Sequence, residues 1–67
     1  MMSNRTSDAR TRGHVYGQWI ARPFERRKRA DTEGFVDEMW NQGSKLGVSQ
    51  SLHYQHVMEV IRSKITD

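Results

Sequence analysis

The sequence contains no cysteine and only one proline, and just 34% of its 67 residues are apolar. Without cysteine there is no disulfide and no thiolate metal site to brace a small fold. A cysteine-free chain also fits a reducing compartment, so the cytoplasm is the expected location. No apolar run reaches the roughly 18–20 residues that a membrane span needs. The N-terminus shows no apolar stretch of the kind that makes a secretory signal. No membrane partner is therefore expected. There is no glycine-rich phosphate loop and no serine elbow, and without cysteine there is no thiol nucleophile. Asp37 and Glu38 are adjacent, so on a helix they point about 100° apart and do not pair as acid and base. A substrate-enclosing cleft is hard to build from so few residues. No enzyme activity and no cofactor are expected.

What is present is charge, divided along the chain. Residues 1–30 hold Arg5, Arg10, Arg12, Arg22, Arg26, Arg27, Lys28 and Arg29 against Asp8 and Glu25, a balance of +6. Residues 31–67 hold three bases against six acids, a balance of −3. This division suggests a basic arm for an anionic partner, joined to a folding half.

The first thirteen residues, MMSNRTSDARTRG, have no apolar side chain beyond Ala9 and the two methionines. Such a segment cannot offset its ordering entropy by burial, so it is expected to be a disordered basic tail. One small helical domain is expected over 14–67. Its first apolar element, over 14–22, fits either a helix or a β-strand. Val15, Tyr16, Trp19, Ile20 and Phe24 have helical spacing, yet Gly13 and Gly17 weaken a helix and a short strand remains open. Pro23 ends or kinks whichever element precedes it.

Two amphipathic helices follow, giving a mainly α fold. The first is expected at about 32–45, with Asp31 or Thr32 as N-cap and Phe35, Val36, Met39, Trp40 and Gly43 on one stripe. Gly47 is a candidate C′ residue, able to take positive φ and close this helix. The second is expected at about 50–65, capped by Ser49 or Ser51, with Tyr54, Val57, Met58, Ile61 and Ile65 as its stripe. Phe35, Met39, Trp40, Tyr54, Val57, Met58 and Ile61 are thus the candidate core and interface. A chain this short buries only about 60% of its unfolded surface. Two helices that each bury one face leave their ends open, so a homodimer is expected.

Arg26-Arg27-Lys28-Arg29 is the clearest functional signal, since clustered bases neutralise phosphates and release counterions. With Arg22 and Arg12 these are the candidate nucleic-acid contacts. A solvated linker is the plain alternative. His53 and His56 share a helix face, and with His14 could offer nitrogen ligands, but no third and fourth ligand at defined geometry accompanies them, so no metal site is expected. The two are expected to be partly exposed helix residues. Aromatics among arginines could stack on bases, with Tyr16, Trp19 and Phe24 the candidates; at helical spacing they are more simply core.

The segment Leu46-Gly47-Val48-Ser49, with Gly43 four residues before Gly47, resembles the turn of helix-turn-helix repressors. The positions six and nine after the glycine, apolar in that family, are His53 and His56 here. The stretch from Gly47 to Glu59 also resembles the second helix of ribbon-helix-helix repressors of the phage Arc type, and Trp19 to Glu25, with Pro23 leading into a helix, resembles that family's strand-to-helix junction. That resemblance implies that Gln18, Ile20 and Arg22 read the major groove from a β-ribbon. The interval from Pro23 to Tyr54 is longer than in that family by the stretch RRKRADTEG. Both resemblances imply a small dimeric DNA-binding regulator of transcription, and duplex DNA is the favoured partner. The alternatives are an inhibitor or adaptor that binds a larger protein, and an RNA- or ribosome-binding protein.

Overall fold

The computed structural model describes the backbone of residues 2–67 and the side chains from Ala9 onward; Met1 lies outside the described residues. Among the described residues the fold has three helices: α1 (Met2–Ile20), α2 (Thr32–Asn41) and α3 (Gln50–Ile61). Single 3₁₀ turns lie at Phe24–Arg26, Arg29–Asp31 and Arg62–Lys64. α3 packs against both other helices. No strand occurs among the described residues, so the element over 14–22 resolves to helix.

α1 differs from expectation at its start. Residues 2–13, read from the sequence as a disordered tail, belong to the helix. Once a helix is nucleated over 14–20, each added residue costs little, and no proline stands upstream to stop it. Val15 and Trp19, four apart and both fully buried, are the face that α1 gives to the core. The Ala21 and Arg22 amides bond back to the Gly17 and Trp19 carbonyls. Pro23, at φ −60° and ψ 153°, then takes the chain out of the helix.

α2 is shorter than the pattern suggests, and Gly43 rather than Gly47 closes it. Gly43 has φ +87°. Its amide bonds to the Trp40 carbonyl at 3.1 Å, and the Ser44 amide to the Met39 carbonyl at 2.9 Å. This pair of bonds is a Schellman motif, which needs a residue free to adopt positive φ at the first position past the cap. Gly47 has another task. A Cβ there would lie 2.7 Å from the His53 nitrogen and 2.8 Å from the Leu52 carbonyl carbon, so the loop approaches the start of α3 by lacking a side chain. Between α2 and α3 run residues 42–49, so the residues matched to a helix-turn-helix turn lie well past the end of α2.

At the head of α3, Ser49 is extended and its hydroxyl accepts from the Leu52 amide at 3.3 Å. Val57 and Ile61 are fully buried, and His53 completes their line at 1% exposure. Tyr54, placed on the core stripe by the sequence, is 42% exposed; Met58 is half-buried. The stripe is rotated because His53 enters the core. The Leu46 amide donates to His53 Nδ1 at 3.0 Å, so Nε2 carries the ring proton and donates to the Val36 carbonyl at 2.9 Å. One turn on, His56 Nδ1 donates to the Leu46 carbonyl at 2.6 Å. The expectation that the two histidines are partly exposed is therefore corrected for His53.

The core unites Val15, Trp19, Phe35, Val36, Met39, Leu46, Val57 and Ile61. Trp19 meets Phe35 edge-on, with centroids 5.0 Å apart. Full burial of one such side chain is worth about 1.5–3 kcal/mol. Phe35, Met39, Val57 and Ile61 are buried within one chain. Trp40 is half-buried, tilted against the His53 ring at 5.1 Å, with Lys45 Nζ over it at 4.4 Å.

Candidate nucleic-acid interface

The basic run lies in the connection between α1 and α2, which two 3₁₀ turns stiffen. Asp31 shapes the second of them. Its amide bonds to the Lys28 carbonyl at 2.9 Å, while its carboxylate accepts from the Lys28 amide at 3.1 Å. Thr32 is buried, and its hydroxyl donates to the Arg29 carbonyl at 2.8 Å. Asp31 is the N-cap of α2 by position, but its carboxylate caps nothing in that helix: it turns back to Lys28, and Thr32, the first residue of α2, turns back to Arg29.

The chain after α3 folds back onto this connection. Trp19 Nε1 donates to the Lys64 carbonyl at 3.0 Å. The Thr66 amide bonds to the Arg27 carbonyl at 2.9 Å, and its hydroxyl to the Phe24 carbonyl at 3.3 Å. The Arg29 amide donates to the Asp67 carboxylate at 2.8 Å. Residues 24–31 and 62–67 therefore form one end of the molecule. It holds six bases (Arg26, Arg27, Lys28, Arg29, Arg62 and Lys64) against three acids, Glu25, Asp31 and Asp67. Two of those carboxylates accept backbone N–H bonds within the end itself.

The six residues expected to contact nucleic acid divide into two groups. Arg22, Arg27 and Arg12 are engaged internally. Arg22 bonds Glu38 at 3.0 Å and the Arg26 carbonyl at 3.2 Å, and its guanidinium lies 5.6 Å from the Trp19 ring and 5.1 Å from the Phe35 ring. It braces the junction. Arg27 Nε donates to the Arg22 carbonyl at 3.1 Å, and its guanidinium lies 5.9 Å from the Phe24 ring. Arg12 sits more than two turns back along α1, 3.6 Å from Glu59 on α3. Arg26, Lys28 and Arg29 are exposed, as are Arg62 and Lys64. Among the described residues none of these five is in an ion pair.

Sequence reasoning missed Arg62 and Lys64 as partners of the run, because only the fold-back brings them there. Gln18 and Ile20, expected on a ribbon if the Arc-type resemblance held, lie on α1, and Arg22 lies just past its end. α2 has no Lys or Arg between Thr32 and Asn41, and α3 has none between Gln50 and Ile61. Both ring nitrogens of His53 are occupied, which removes it as a metal ligand. Among the described residues no helix is long and apolar enough to cross a membrane.

No family model, curated protein or solved structure matches this chain.

Proposed function

We propose that this is a small nucleic-acid-binding protein that grips phosphates with the end formed by residues 26–29 and 62–64. The observation that carries the reading is the fold-back of residues 62–67, which adds Arg62 and Lys64 to a basic run already held by hydrogen bonds. Beneath five exposed bases the backbone is already held, so meeting a polyanion costs their side-chain freedom but little backbone ordering. Phosphate contacts of this kind give position and affinity but carry no sequence information. A dimeric transcription regulator on duplex DNA is a narrower case of the same reading. It needs a base-reading element besides, and the bare α2 and α3 supply no arginine for one.

A salt titration of oligonucleotide binding, followed by anisotropy, tests the proposal. Replacing Arg26, Lys28 and Arg29 together by Ala should lower the slope of log K against log salt by about 2–3, at roughly 0.7–0.9 per lost phosphate contact. The thermal melt should not move. No binding at low salt, or a slope unaffected by the triple replacement, would falsify it.

A second reading, binding to a protein, draws on a different surface. Val48 is 94% exposed, and Leu52 and Tyr54 are exposed nearby at the start of α3. Replacing Val48 and Leu52 by Ser would separate the two readings, since it leaves the basic end untouched.

A further inference from the structure

We propose that the basic end selects nucleic acid with unpaired bases, and that Phe24 is the platform on which one base stacks. The inference rests on the phosphate reading above and adds the class of strand.

Among the large apolar side chains, Phe24 stands apart from the core. It is 61% exposed and takes no part in the buried cluster. An exposed phenylalanine by itself is ordinary. This one opens the 3₁₀ turn that leads into the basic run, between Pro23 and Glu25. Its backbone is pinned, because its carbonyl accepts from both the Arg27 amide and the Thr66 hydroxyl, each at 3.3 Å. Arg27 lies over the ring at 5.9 Å, and its own Nε is fixed on the Arg22 carbonyl. The result is an aromatic plane already paired with a guanidinium, standing among side chains that hold phosphates.

Such a plane has little to do on a duplex, whose bases are stacked on one another. On a single strand every base offers a π-face, and an aromatic next to arginines is what sequence-tolerant binding uses. Of the aromatics beside the arginines, Trp19 is fully buried and its indole N–H is taken by Lys64. Tyr16 lies back along α1, outside the connection that carries the run. Phe24 alone among these combines exposure with a place in the basic end.

The experiment compares three probes at one ionic strength: a single-stranded oligonucleotide of mixed sequence, a duplex of the same sequence, and heparin, a polyanion without bases. The unaltered protein should bind the single strand more tightly than the duplex. Phe24→Ala and Phe24→Leu should each weaken the single strand at least about fivefold, the lower end of a lost stacking contact. They should leave duplex and heparin binding, the salt slope and the thermal melt as they were. Phe24→Trp should retain single-strand affinity. If both Phe24→Ala and Phe24→Leu bind the single strand as tightly as the original, or lose all three probes equally, Phe24 is no stacking platform and the inference is overturned. If the unaltered protein binds none of the three, the phosphate reading itself is lost. Duplex binding that persists while Phe24 proves irrelevant overturns the stacking step alone.

Discussion

His53 and Leu46 are joined across the loop that separates α2 from α3: the Leu46 amide donates to His53 Nδ1 at 3.0 Å, inside the core. His56 takes the carbonyl of the same residue, so one residue has both polar backbone groups satisfied by a histidine pair three apart on α3. His53→Leu keeps much of the side-chain bulk but leaves a buried N–H unpaired. It should cost about 1–3 kcal/mol in urea denaturation. His56→Ala removes a bond nearer the surface and should cost about 0.5–1.5 kcal/mol. A His53→Leu variant as stable as the original would show that the loop is not held in this way.

The glycines of the same loop should respond differently to replacement. Gly43 has open space around its Cβ position but φ +87°. Gly43→Ala should cost about 1–2 kcal/mol of left-handed strain, and Gly43→Asn less. Gly47 has no such strain but would press a Cβ against α3 backbone. Gly47→Ala and Gly47→Asn should therefore both destabilise, by about 1–3 kcal/mol, as overpacking does. Thermal melts of the four variants decide the assignment of roles.

Gly17 and Gly34 sit inside helices, and an added Cβ at either would have nothing within 4 Å. Changing either to Ala should stabilise the protein by about 0.5–1 kcal/mol. A loss of stability for Gly17→Ala would count against α1 as a helix at that point.

The arginines should sort by job. Arg22→Ala removes a guanidinium packed near two aromatic rings and bonded to Glu38, and should lower stability by about 1 kcal/mol. Arg12→Ala breaks a longer and more exposed pair with Glu59, worth about 0–1 kcal/mol. Arg26→Ala and Arg29→Ala should leave the melt unchanged and weaken oligonucleotide binding. If Arg22→Ala weakened binding with no change in melt, its bracing role would be wrong.

Much of the scaffold is legible in the residue pattern. The spacing of Phe35, Val36 and Met39, and of Val57 and Ile61, locates α2 and α3, and Ser49 and Ser51 bracket the start of α3, which Ser49 caps. The first apolar element stays ambiguous because Val15 and Trp19 lie on one face of a helix and also share the parity of a strand. Gly47 reads as the residue that closes α2 because Gly43 falls on the apolar stripe, and only the backbone shows that Gly43 takes the positive φ. The turn of His53 into the core is hidden for another reason. A histidine at that position reads as surface until its partners at Val36 and Leu46 are known, and neither is its neighbour in sequence. The basic end shows the same limit. Arg26 to Arg29 stand out as a run, whereas Arg62 and Lys64 join them only through contacts between opposite ends of the chain, such as Trp19 with Lys64.

The lashing of Thr66 and Asp67 to the α1–α2 connection has a practical side. Any polypeptide fused after Asp67 emerges beside the cationic tip. An acidic tag there would act as an intramolecular competitor for it, so affinity handles for binding assays are better kept away from that point.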